Sequence, residues 1–269
     1  MSQALLCVSL GRIACRPGDL SGNVRRAARI RAAALSRLES LRVVLEDICD
    51  PGNRAAILRS VESLGLLNVH EVITPGGVTE VCKPKATSRG RSIVNGAEKW
   101  LDLHQHSAVQ ECIATLQAQG FVVLAAVPPG GGAAAAAGGY TRCVEPLALE
   151  DLEFSRPAAL LFGSEARGVS PAALEAADGT FTIPLPGLSE SLNVSVAVAV
   201  CCHFARHGRR QHLGLAPGQG DQSAAAAEAL AASYVSRGLD RRFAASLRCG
   251  RSREAKRMGS TKVDAKSPD

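Results

Sequence analysis

Residues 183–200 read IPLPGLSESLNVSVAVAV, and the fold turns on the conformation of the run after Asn193. Pro184, Pro186 and Gly187 punctuate a turn, and Ser191 or Asn193 can cap the next element by accepting its free backbone N–H groups. A cap uses one side chain, so the surplus of polar groups from Ser189 to Asn193 marks a loop that holds something. Val194–Val200 then alternates larger and smaller residues, which by period is a strand. A helix buried on all sides would also lack a polar stripe, so the residues alone leave both readings open.

The chain upstream alternates in type. VRRAARIRAAALSRLESL (24–41) is helical by propensity, with Ile30, Leu35, Leu38 and Leu41 spaced for one apolar face. LRVVLEDICDPGN (41–53) predicts a buried strand over Val43–Leu45 that ends in a polar loop. NRAAILRSVESLG (53–65) predicts a helix with Asn53 as N-cap, Gly65 as stop and Ile57, Val61 and Leu64 as apolar face. NVHEVITP (68–75), LDLHQH (101–106), FVVLAAV (121–127), AALLFG (158–163) and GTFTIPL (179–185) are expected strands. SAVQECIATLQAQG (107–120) and PAALEAA (171–177) are expected helices. KPKATSRGRSIVNGAEKW (83–100) is a basic, irregular connection, and the Gly/Ala run at 130–139 a flexible insertion.

Strands alternating with helices imply an α/β fold with a mostly parallel sheet covered on both faces. Such sheets bind ligands beyond the carboxyl ends of their strands. Three polar loops fall there: EDICDPGN (46–53), GSEARGVS (163–170) and PGLSESLN (186–193).

Bulk properties narrow the function. With 269 residues and 46% hydrophobic content, the chain can bury a large core. No apolar run is long enough for a membrane helix, so no membrane partner is expected. Aromatics at 3% argue against a base-stacking platform. Nine cysteines without a CxxC pair point to a reducing, intracellular compartment and against both a disulfide framework and a zinc site. The net charge of +6 is uneven: residues 1–42 carry 8 Arg and Lys against 2 acids, 203–269 carry 13 against 6, and 43–202 carry 10 against 17. Basic ends around an acidic middle suit a protein that grips nucleic-acid phosphates, and equally suit solvated tails. The acid-poor residues 1–22 resemble a transit peptide, so the expected location is the cytoplasm, or a chloroplast or mitochondrion if that segment targets.

The usual phosphate cradles, GxGxxG and GxxxxGK[ST], are absent, as are GxSxG and HExxH. His104 and His106 share one face of an expected strand but have no third ligand nearby in sequence, so no metal is expected.

LEDICDPGNRAAILRSVESLG, LLFGSEARGVS and IPLPGLSESLNVSVAVAV together resemble, in order and spacing, the three motifs of the TrmH-type SPOUT RNA methyltransferases. SIVNGAEKWLDLHQH and ATLQAQGFVVLAA are similar to the branch acting on a tRNA guanosine ribose. The resemblance covers roughly residues 25–205. It implies a C-terminal deep trefoil knot, against the general rule for chains, a helix after Asn193, a homodimer, and S-adenosylmethionine as cofactor. On the family's pattern, Val127, Pro128, Gly163, Ile183 and Leu192 contact the cofactor, and Asn53, Arg59, Glu165, Ser191 and Asn193 are the catalytic set. The implied reaction is 2′-O-methylation of a tRNA guanosine, with a D-loop position favoured. Ribosomal RNA as substrate, or a knotted RNA-binding protein that has lost catalysis, are the alternatives, and DNA is not an expected partner. Taken with the composition of the two ends, the expected organisation is a flexible or targeting segment 1–22, a basic helix 23–42, a methyltransferase domain 43–207 and a basic extension 208–269.

Overall fold

A computed structural model describes residues 26, 28–75, 96–129, 145–234 and 237. The leading segment 1–22, most of the basic connection, the Gly/Ala run and the basic stretch RRFAASLRCGRSREAKRMG (241–259) lie outside the described residues.

The chain divides into two units. The smaller contributes described helices α1 (residues 28–35) and α6 (residues 224–234), with an Arg31–Glu228 ion pair inside it. The larger, Ser36–Ser223, carries a seven-stranded sheet. Its strands are β1 (Leu38–Glu46), β2 (Leu66–Val72), β3 (Asp102–His106), β4 (Val122–Ala126), β5 (Leu147–Ala148), β6 (Ala158–Phe162) and β7 (Gly179–Thr182). They lie in the order β3-β2-β1-β6-β4-β7-β5, every pairing parallel. Helices α2 (Pro51–Ser63), α3 (Val109–Ala118), α4 (Pro171–Ala176) and α5 (Val194–His212) cover it.

The central strands are buried on both faces, which explains their unbroken apolar runs. Val43, Leu45, Leu160 and Phe162 share a core with Ile57, Leu58 and Val61 of α2 and Val198, Cys201 and Cys202 of α5. Val44, Ala159 and Leu161 face the other way, onto Cys112, Ile113 and Leu116 of α3 and Ala173 of α4. The two-residue β5 was not expected, being too short to leave a period in the sequence.

The expected helix over 24–41 is a helix only through residue 35; residues 38–46 are strand. Tertiary context overrides propensity here. Leu38 and Leu41 are buried in the sheet. The buried Arg37 donates to the Glu62 and Leu66 carbonyls at 2.7 and 3.0 Å and to the Glu62 carboxylate at 2.7 Å. Asp221 then accepts from the backbone N–H groups of Glu39 and Ser40 at 2.6 and 3.0 Å.

The stretch after Asn193 is helix. Asn193 Oδ1 accepts from the Ser195 backbone N–H at 2.9 Å, an N-cap contact. Val198, Cys201, Cys202 and Ala205 form the buried face at helical spacing, while Val196 and Val200 point to solvent. The alternation of valines was thus compatible with a strand only because both faces of this helix are apolar.

Candidate active site

All strands run in one direction, so the loops after β1, β4, β6 and β7 emerge at one edge of the sheet. The loop after β1 begins with Asp47 at φ 50°, an unusual backbone for a non-glycine residue. Its carboxylate accepts from Thr74 N–H at 3.0 Å and holds the turn. Helix α2 is capped by Asp50, which accepts from Gly52 N–H at 2.8 Å, with Pro51 at the first helical position. The expected cap, Asn53, sits instead in the first turn. Pro51 favours a start one residue after Asp50, and this leaves the Asn53 side chain for tertiary contacts.

Those contacts join all three motif loops. The Asn53 amide donates to Glu165 Oε1 at 2.8 Å, and Asn53 Oδ1 accepts from the Asn193 amide at 3.1 Å. Glu165 Oε2 also accepts from the Cys49 backbone N–H at 3.2 Å. Asn193 Oδ1 serves Ser195 at the same time, so one residue caps α5 and closes the network. Partial burial alone would raise the Glu165 pKa; bonds from Asn53 and from the backbone N–H groups of Glu165, Cys49 and Asp50 outweigh it and hold the carboxyl below its ordinary value.

Beside this network lies a cleft of about 920 Å³. Val127, Pro128, Gly163, Ile183 and Leu192 all line it, as do Glu165, Ser191 and Asn193. Gly163 is the tightest point. A Cβ there would come within 2.0 Å of the Gly168 backbone, because the loop after β6 folds back with Ser164 and Gly168 exchanging backbone hydrogen bonds at 3.1 and 2.8 Å. No side chain fits at that position, so the wall there is bare backbone.

Arg59 is exposed on α2 and does not border the cleft. Six helical residues separate it from Asn53, about one and two-thirds turns, so the two point in different directions. The network does not reach Arg59, nor does it include Ser191.

Two further pairs brace the site and were not foreseen. Arg54 clamps the buried Glu71 on β2 through two hydrogen bonds of 2.6 and 2.9 Å. The Glu46 carboxylate accepts from Ser170 N–H at 2.9 Å and ties the end of β1 to the start of α4. These partners lie 17 and 124 residues apart, with no local signal linking them. The polarity of EDICDPGN was the sole hint.

The sheet and its carboxyl-edge site define an α/β protein that builds a ligand cleft from loops after parallel strands. The SpoU rRNA Methylase family matches residues 40–203, and the chain belongs to that family. Relatives include the tRNA (guanosine(18)-2'-O)-methyltransferase of Thermus thermophilus, 33% identical over 184 residues and covering 68% of this chain and 83% of its own length. The enzyme of the same name from Escherichia coli is 29% identical over 196 residues, 72% and 74% of the two chains. The crystal structure of the A. aeolicus TrmH/SpoU tRNA modifying enzyme shares the fold with a TM-score of 0.63 at 21% identity, covering 81% of this chain and 98% of its own.

Proposed function

We propose that this protein transfers a methyl group from S-adenosylmethionine to the ribose 2′-hydroxyl of a guanosine in tRNA. The observation that carries the reading is the Asn53–Glu165–Asn193 network beside the cleft, within a family of methylases. The names of the relatives above favour tRNA, and a guanosine, as the substrate.

The cleft suits the cofactor. Its volume lies within the range of small-molecule sites. The bare Gly163 wall offers backbone groups, while Val127, Ile183 and Leu192 offer apolar surface for an adenosine. S-adenosylmethionine supplies an electrophilic methyl on a sulfonium, so this chain's residues need only align the acceptor and manage one proton.

Glu165, Asn53 and Asn193 keep three loops in register around the cleft, and Ser191 borders it with a hydroxyl for the substrate ribose. A guanidinium is in general a poor base, so Arg59 is assigned a positioning role. Arg59 holds a substrate phosphate through paired hydrogen bonds, and that phosphate accepts the 2′-hydroxyl proton.

Quaternary structure and topology enter the same reading. Leu188, Leu192, Val196 and Val200 are exposed in a stripe running from the loop after β7 along α5, which favours a homodimer that covers them. Arg59 then completes a site from across the interface, in keeping with its distance from its own network. We also propose the trefoil knot, supported by the family match and by α5 packing back against α2, β1 and β6. Cys112, Cys201 and Cys202 are buried thiols outside any disulfide among the described residues, which favours a reducing, cytoplasm-like compartment.

The test is methyl transfer from labelled S-adenosylmethionine to bulk tRNA and, separately, to ribosomal RNA. Label in tRNA supports the proposal, label confined to ribosomal RNA overturns the substrate, and label in neither overturns the activity.

A further inference from the structure

Away from the cleft, three donor side chains meet between the sheet edge and α3. The register pairs His70 with His104 and Val72 with His106, so His70 and His106 lie diagonally on one face of β2 and β3. That face is the one α3 covers, and Cys112 projects onto it from the buried side of the helix. His70 Nδ1 lies 3.0 Å from His106 Nε2. One donor atom from each of His70, His106 and Cys112 lies within 4.8 Å of the other two. None of the three borders the cleft.

A plain hydrogen bond between the two imidazoles leaves too much over. His70 is 3% exposed, and its Nε2 has no hydrogen-bond partner among the described residues. A buried ring nitrogen without a partner is costly, and native structures keep few of them. Cys112 is completely buried and adds a soft donor. His104 stacks on His70 with ring centroids 4.6 Å apart, and its own Nε2 is engaged with Asn68 Oδ1 at 2.9 Å. It therefore steadies the His70 ring without competing for the same place.

We propose that His70, His106 and Cys112 form a site for a borderline divalent cation of the zinc class, with water as the remaining ligand. Two imidazoles and a thiolate are a donor set that zinc accepts, and a tetrahedral zinc ion needs donors about 3.3–3.6 Å apart. Closing from within 4.8 Å requires side-chain rotation rather than backbone rearrangement. Half-buried His106 on the edge strand provides the way in. Binding breaks the Cys112 Sγ–H bond, releases its proton to solvent and forms a metal–thiolate bond. That thiolate charge matters here, because the Arg42 guanidinium, held against Phe121 and Gln119, places a positive charge near His70. The ion would fasten β3 and α3 to β2. The sequence drew attention to His104 with His106 and, finding no third ligand nearby, led to no metal being expected; the structure pairs His106 instead with His70 and Cys112, which come from two other elements.

The experiment uses the full chain, stripped with chelator and titrated with Co²⁺ as a spectroscopic stand-in, then with Zn²⁺ by calorimetry. The expected result is one ion per chain, a thiolate-to-cobalt charge-transfer band, about one proton released, and a rise in Tm with Zn²⁺. Cys112→Ser should abolish the band, and His106→Gln, at the half-exposed edge, should weaken binding at least tenfold with circular dichroism unchanged. Absence of a band and of binding heat in the wild-type chain overturns the proposal without any variant. A band that persists in Cys112→Ser also overturns it, by placing the ion on another of the nine cysteines.

Discussion

Asn53 ties the three motif loops together, donating to Glu165 and accepting from Asn193. Asn53→Ala removes both, at about 1 kcal/mol of loop anchoring for exposed groups. It should lower kcat/KM on the order of a hundredfold through misplacement, while leaving Tm within a few degrees, as steady-state kinetics and calorimetry would show. Gly163→Ala should act on binding instead, since its Cβ would lie 2.0 Å from backbone atoms; equilibrium dialysis with S-adenosylmethionine is expected to find affinity largely lost. Glu165 carries a pH signature. Its folded pKa is depressed, so its contribution is present above the unfolded carboxylate pKa and disappears only as pH falls through the lower folded value. The Tm difference between wild type and Glu165→Gln should therefore stay constant from neutral pH down to the ordinary carboxylate range and close only in stronger acid. A difference that closes near neutral pH would mean that the Asn53 bond does not hold the carboxylate.

Elements explain what was legible and what was not. The parallel order and the two covered faces followed from uninterrupted apolar strands separated by helical periods, and β2, β3, β4, β6 and β7 all fall where strands were expected. The start of β1 did not, because the helical propensity of 24–41 carries no trace of the Arg37 and Asp221 contacts that hold residues 38–42 extended. The helix after Asn193 was ambiguous by period, and the buried set Val198, Cys201, Cys202 and Ala205 resolves it. At the site, the three loops were visible as polar stretches at strand ends. The Arg54–Glu71 and Glu46–Ser170 pairs were not, since their partners meet only in three dimensions. The cap of α2 gives a test at this scale: Asp50→Ala should cost about 0.5–2 kcal/mol, read as a lower urea midpoint, whereas Asn53→Ala should show a comparable stability loss and a larger activity loss.

For the whole molecule, buried thiols and exposed valines make opposite statements. Burial pushes the Cys112 and Cys201 thiols up to about 12 and raises Cys202 further. Cys49 is only half-buried. Maleimide labelling of the native protein and peptide mass spectrometry should therefore find Cys49 modified well ahead of those three. Val196 and Val200, by contrast, are 48% and 41% exposed on a helix whose other face is core. Val196→Asp with Val200→Asp should leave circular dichroism unchanged and convert the proposed dimer to monomer by light scattering. The proposal supplies Arg59 across that interface, so on it the monomer should lose turnover as well.

The most direct test of the central claim is nucleoside mapping of an unmodified tRNA transcript after incubation with the protein and methyl-labelled S-adenosylmethionine. A single 2′-O-methylguanosine per transcript is expected, undetectable with Arg59→Ala although that variant still binds cofactor. A methyl group on a base, or full 2′-O-methylation by Arg59→Ala, would contradict it.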